Sequence, residues 1–265
     1  MGVVSHSSER AALAYDRLGS GDPLLLLHGL GGERHVWEPV LAPLAEHRTL
    51  IVPDLPGFGA SPALPSALTP SPPLLASVVA DLLDELGLGA PDVAGNSLGG
   101  WVALELALRG RARSVTALCP AGFWSRPLGP RRDTARRAAR ALRPLLPLLT
   151  HVGPVRRAAL ASTVAHPERV PPRAAARMIG AYADAPGFVA ANAAMRAGRF
   201  ARIADVRVPV TLAWGERDRL VKPPRALPLG VTSLLLPDCG HLPMWDDPGL
   251  VTQVILTAAE RAAAA

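Results

Sequence analysis

Apolar positions along the chain collect into short runs at 24–28 (LLLLH), 49–53 (TLIVP), 92–95 (DVAG), 114–119 (SVTALC), 208–214 (VPVTLAW) and 232–236 (TSLLL). Runs of this length predict strands, and their continuity points to a mainly parallel sheet covered on both faces. Between them the apolar spacing turns helical, at about 75–87, 97–109 and 247–261, the last fading into AAERAAAA. A preceding pair of strands is expected near 10–18, and the Pro- and Ser-rich stretch 60–73 reads as a loop leading into the first helix. Strand alternating with helix from end to end is the α/β class, with helices on both faces of the sheet.

The alternation stops after Cys119. From 122 to 202 there is no convincing strand, only Ala- and Arg-rich helical stretches cut by prolines, and strand pattern resumes at Val208. An all-helical insertion between two strands of one sheet predicts a cap. The expected layout is a core of 1–121 and 203–265 with a helical cap over 122–202.

Charge adds little to this picture. The net charge of +6 is concentrated between Arg126 and Arg157, where Arg131, Arg132, Arg136, Arg137, Arg140 and Arg143 face the single acid Asp133. That segment carries leucines and prolines without interleaved aromatics, so it suits a solvated helix face better than a nucleic-acid platform. With Leu142, Leu145, Leu146, Leu148 and Leu149 it could lie on a membrane surface or accept a lipid-like substrate, and a solvated lid face over an apolar pocket is the preferred reading. No apolar run approaches the ~20 residues that span a bilayer, and no stable membrane association is expected. The first residues lack the charged start and apolar core of a secretory signal. Cys119 and Cys239 are too few for a disulfide framework and lack metal spacing. Together these predict reduced cysteines and a cytoplasmic setting, and the serine chemistry that follows requires neither metal nor organic cofactor.

The chemistry begins in DVAGNSLGGWVALELAL, 92–108. A serine forced through a sharp strand-to-helix turn has a strained backbone and a projecting hydroxyl, and only small residues fit two before and two after it. Gly95 and Gly99 occupy those places around Ser97. Heading a helix, Ser97 sits where developing negative charge meets free N–H groups and the helix dipole. A serine hydroxyl needs a base, and the base needs a third group to hold its tautomer. Asp218 follows one late strand and His241 the next, in the chain order serine, acid, histidine that accompanies this turn. The run LLLLHGLGG supplies a Gly-rich turn whose Leu30 amide, with that of Leu98, is the candidate oxyanion hole. His28 and Asp54 read as loop braces, and Trp37, Trp101, Trp124 and Trp245 as candidate pocket linings.

These residues resemble the α/β-hydrolase fold superfamily, in its small single-chain branch with a helical cap. The resemblance rests on His28-Gly29-Leu30-Gly31-Gly32, on DLPGFGAS at 54–61, on the turn at Ser97, on Gly215-Glu216-Arg217-Asp218, and on Gly240-His241-Leu242-Pro243 with Pro248. It implies a serine hydrolase with a Ser97–Asp218–His241 triad and an acyl-enzyme, acting on a small or medium-sized carboxylic ester. Ser rather than Asp at 97 argues against the haloalkane-dehalogenase and epoxide-hydrolase branches. Some members carry the acid after the preceding strand, but here that place reads CPAGFW.

Other readings use the same residues. GNS at the turn and CGH followed by Trp245 resemble the meta-cleavage-product hydrolases, which split carbon–carbon bonds. A cofactor-free haloperoxidase-like or lyase-like reaction could run on the same triad, and a non-catalytic receptor could keep the fold.

Overall fold

In the computed structural model, which describes residues 13–129, 133–228 and 231–263, the apolar runs form one seven-stranded sheet. Its strands are β1 (Tyr15–Leu18), β2 (Pro23–Leu27), β3 (Thr49–Pro53), β4 (Asp92–Asn96), β5 (Ser114–Leu118), β6 (Val210–Gly215) and β7 (Thr232–Leu236), in the order β1-β3-β2-β4-β5-β6-β7. β1 runs antiparallel to β3 and every other pairing is parallel. Of the pair expected near 10–18, β1 is present, and residues 1–12 lie outside the described ones.

The unbroken apolar runs follow from burial on both sides. Side chains alternate across a strand; Leu25 and Leu27 enter one apolar cluster with Val79, Leu83 and Val102, while Leu24 and Leu26 enter the other with Val40, Leu44 and Ile255. Helices α2 (Pro72–Glu85) and α3 (Leu98–Leu108) serve the first cluster, and α1 (Glu38–Ala45) and α10 (Pro248–Ala263) the second. α2 starts at Ser71, whose hydroxyl accepts from the Leu74 amide at 3.4 Å, with Pro72 in the first turn where its missing N–H is not needed.

Between β5 and β6 the described residues contain helices and no strand: α4 (Thr134–Ala141), α5 (Leu146–Leu149), α6 (Gly153–Leu160), α7 (Pro172–Asp184) and α8 (Phe188–Ala197). Several prolines that read as breaks are helix starts instead, since α5, α6 and α7 each carry one at the first or second position. A short helix, α9 (Pro243–Asp246), precedes α10. No helix among the described residues is long and apolar enough to cross a membrane.

Candidate active site

β4 delivers Ser97 to the carboxyl edge of the sheet, and the turn that follows is strained. Ser97 has φ +53°, one of three non-glycine residues with positive φ among the described residues. The glycines around it are obligatory. A Cβ on Gly95 would stand 2.2 Å from the Gly99 carbonyl oxygen, and one on Gly99 2.2 Å from that of Leu27. The Ser97 amide donates to the Leu118 carbonyl at 2.9 Å, fixing the bend to the end of β5.

The loops after β6 and β7 bring Asp218 and His241 together. His241 Nδ1 donates to Asp218 Oδ2 at 2.8 Å, and both residues are buried. The other carboxylate oxygen accepts the Leu220 and Val221 amides at 2.7 and 3.0 Å. Burial alone would raise the Asp218 pKa; the hydrogen bond and charge of His241, with the two amides, overcome it and hold the carboxyl below its ordinary range. An ionised Asp218 requires the proton on Nδ1, so in the neutral imidazole the lone pair is on Nε2. Among the described residues no hydrogen bond joins that nitrogen to Ser97 Oγ.

Glu216 and Asp238 are committed elsewhere. Glu216 Oε2 accepts the Asp238 amide at 3.0 Å, and the Asp238 carboxylate meets His166 at 2.7 Å and Arg217 at 2.6 Å.

The turn at 29–32, the candidate oxyanion turn, closes through the Gly32 amide onto the Gly29 carbonyl at 3.0 Å. Leu98 is the first residue of α3, where an N–H has no partner within the helix. At Gly31, with φ +75°, an added Cβ would lie 2.8 Å from the Tyr182 ring, so α7 covers this turn directly. His28 braces it. The Leu55 amide donates to Nε2 at 2.9 Å, which leaves the ring proton on Nδ1 for the Gly29 carbonyl at 2.8 Å. Asp54, fully buried, accepts the Arg34 and Ala60 amides at 2.7 and 2.8 Å and the Arg34 guanidinium. Both residues hold loops, as their sequence context indicates.

The four candidate pocket tryptophans all pack, and Trp101, Trp124 and Trp245 also donate hydrogen bonds. Trp37 has no exposed surface and lies in the second apolar cluster, so it is core rather than pocket lining. Trp245 joins that cluster and donates to the Val36 carbonyl at 2.8 Å. Trp101 stacks edge-on with Trp124 and Phe200, and Trp124 donates to the Gly198 carbonyl at 2.8 Å, so this pair joins α3 to the ends of the helical insertion.

Two contributors escaped the sequence reading. Asp246, buried, accepts the Gly240 amide at 2.7 Å, the His166 amide at 2.8 Å and the Ala165 amide at 2.9 Å. It ties the residue before His241 to the helical insertion, as does the Leu242 amide on the Thr163 carbonyl at 2.8 Å. Cys119, also strained with φ +48°, stands behind the acid: its sulfur accepts the Gly215 amide at 3.3 Å and donates toward the Gly240 carbonyl at 3.6 Å. Cys119, Asp218 and His241 bring potential metal-binding atoms within 4.8 Å of one another. Burial, followed by the charge of Asp218, pushes the thiol pKa well up, and the histidine and carboxylate atoms are spent on each other. The group therefore reads as a hydrogen-bonded cluster, not a ligand set.

Comparison with known proteins bears on the same features. A family described as Alpha/beta hydrolase family matches residues 24–254. The chain is 34% identical over 203 residues to epoxide hydrolase EphH of Mycobacterium tuberculosis, covering 71% of this chain and 94% of that one. A shorter stretch of 101 residues is 37% identical to a pimeloyl-[acyl-carrier protein] methyl ester esterase of Legionella pneumophila, 37% of each chain. Among solved structures, a thermophilic esterase from Thermogutta terrifontis superposes with a TM-score of 0.71 at 26% identity, over 94% of this chain and 93% of that one.

Proposed function

The chain belongs to the alpha/beta hydrolase family, and from that premise we propose that it is a serine hydrolase cleaving a small or medium-sized carboxylic ester. Ser97 is the nucleophile, His241 the base and Asp218 the acid that orients it. The observation that carries this reading is the Asp218–His241 hydrogen bond of 2.8 Å, with the histidine's loop tied at its carbonyl to Asn96, the residue before the strained Ser97 at φ +53°.

In this mechanism Ser97 Oγ attacks the ester carbonyl while its proton passes to His241 Nε2. The negative charge on the carbonyl oxygen is taken by the Leu30 and Leu98 amides. Collapse breaks the carbon–oxygen bond, and His241 returns the proton to the departing alcohol. Water, deprotonated by the same nitrogen, then releases the acid from Ser97. Asp218 stays ionised throughout and stabilises the imidazolium. The helices of 122–202 serve as the cap, and Tyr182 over Gly31 brings that cap against the oxyanion turn.

The name of the mycobacterial relative raises epoxide hydrolysis. A carboxylate opening an epoxide forms an ester that water can cleave, whereas the Ser97 hydroxyl would form an ether that water cannot, so the reaction would stop after one turnover. Ser97 thus favours ester chemistry.

The experiment is a chromogenic ester series of increasing acyl length, run beside an epoxide and a dienone acid. Turnover of the esters alone supports this reading; turnover of the dienone acid alone would indicate a carbon–carbon hydrolase. Sustained turnover of the epoxide, or of nothing, would overturn it.

A further inference from the structure

Of the twelve exposed large apolar side chains among the described residues, five fall within one stretch of the helical insertion: Leu142, Leu145, Leu148, Val152 and Val155. Leu148 is 70% exposed and Leu145 51%. Their neighbour Leu146 is buried, and both α4 and α5 pack on α7. The stretch therefore holds to the protein through one side and turns a leucine-rich ridge outward. Single exposed leucines need no explanation, but a cluster of this kind marks an interaction surface.

The charge carried by the ridge's own segment is of one sign, with Asp133 and Asp184 at its edge. No Asp or Glu occurs from Thr134 to Pro167, whereas Arg136, Arg137, Arg140, Arg143, Arg156 and Arg157 do. Three of these are accounted for: Arg136 is buried against the Tyr182 and Ala185 carbonyls, Arg143 pairs with Asp184, and Arg156 donates to the Thr150 carbonyl. Arg137, Arg140 and Arg157 are exposed and make no ion pair among the described residues. Arg137 and Arg140 also line a surface hollow along α4 with Asp133 and Ala141.

We infer that this face, residues 137–157, docks on an anionic phospholipid bilayer, with Leu145, Leu148 and Val152 entering the interface and Arg137, Arg140 and Arg157 meeting lipid phosphates. The charge pattern selects this occupant. A second copy of the chain would bring the same unpaired arginines against these, and the repulsion opposes a self-complementary contact. A bilayer offers negative charge at the surface and hydrocarbon just beneath it, the order in which long arginines and shorter leucines reach outward. The sequence offers both a solvated lid face and a membrane surface for this stretch; what favours the membrane is that Leu146 points inward while Leu145 and Leu148 do not.

The test is flotation of the full chain with vesicles of phosphatidylglycerol and phosphatidylcholine, beside vesicles of phosphatidylcholine alone. It reads binding rather than turnover, so its result stands apart from the ester reading. The chain is expected to float with the anionic vesicles and to be released as salt rises. Each arginine near the surface contributes about fivefold, so Arg137→Gln, Arg140→Gln and Arg157→Gln together should lower partitioning on the order of a hundredfold. Leu145→Glu with Leu148→Glu should abolish it. These side chains are exposed, so thermal melts should match the parent. Failure to float, equal flotation with neutral vesicles, or indifference to both variant sets overturns the inference. So does a reversible dimer in sedimentation that Leu148→Glu dissolves without any vesicle binding, which would give the ridge to a second copy.

Discussion

The side-chain amide of Asn96 donates to the carbonyl oxygen of His241 at 2.9 Å and to that of Leu118 at 3.2 Å, so the residue beside Ser97 also anchors the histidine loop. The sequence separation is 145 positions. Asn96 is fully buried, and replacing it by Ala leaves the His241 carbonyl without this donor at a cost of about 1–3 kcal/mol. Asn96→Ala is expected to lower kcat about tenfold with little change in KM. Denaturant melts and steady-state kinetics check both parts, and unchanged kcat would mean the loop is positioned by other bonds.

Asp218→Asn is expected to keep the fold and reduce kcat by roughly 10⁴, the scale seen when a triad aspartate becomes an amide. Glu216→Gln and Asp238→Asn should each cost less than tenfold, because those carboxylates bond to each other's loop, His166 and Arg217 rather than to His241. Kinetics of the three variants side by side decide which carboxylate serves the histidine.

Asp246→Ala removes the acceptor of three amides at once, that of Gly240 buried and those of Ala165 and His166 partly buried. With about 1–3 kcal/mol for the buried Gly240 amide and less for the two partly buried ones, a loss of about 2–4 kcal/mol is expected, lowering Tm by roughly 5–10 °C. Because Gly240 adjoins His241, kcat should fall as well even at temperatures where the variant is fully folded. Calorimetry with kinetics well below Tm separates the two effects.

Much of this arrangement could be read from the chain, and what escaped has physical reasons. Six strands were legible because sheets covered on both faces demand uninterrupted apolar runs, and Ser97 because its turn demands Gly95 and Gly99. α1 was missed: its apolar positions Val40, Leu41 and Leu44 have helical spacing, but Pro39 and Pro43 obscure it. Asp246 looked like one acid among several near His241, since nothing local reveals that a carboxylate will meet amides from residues 165 and 166. The insertion was legible as helical, yet which of its leucines face outward depends on packing against α7 that no local pattern encodes.

His28 gives a pH dependence of stability. Burial pushes its pKa below the ordinary 6.5, outweighing the Gly29 hydrogen bond and the charges of Asp54 and Glu33. The unfolded chain therefore takes up a proton first as pH falls, so the contribution of neutral His28 is complete above 6.5 and is lost progressively below it. His28→Gln should be less stable at neutral pH but should flatten this acid-side decline. Denaturant midpoints between pH 7.5 and 5 check it, and parallel slopes in the two proteins would contradict it.

Trapping the acyl-enzyme tests the central claim most directly. The protein is mixed with excess p-nitrophenyl ester, quenched in acid within the burst phase and digested, and the acylated peptide is identified by mass. The adduct is expected on the peptide carrying Ser97 and nowhere else, and it should vanish in Ser97→Ala together with turnover, which falls by about 10³ to 10⁶. An adduct on another residue, or near-normal hydrolysis by Ser97→Ala, would contradict the assignment of Ser97 as the nucleophile.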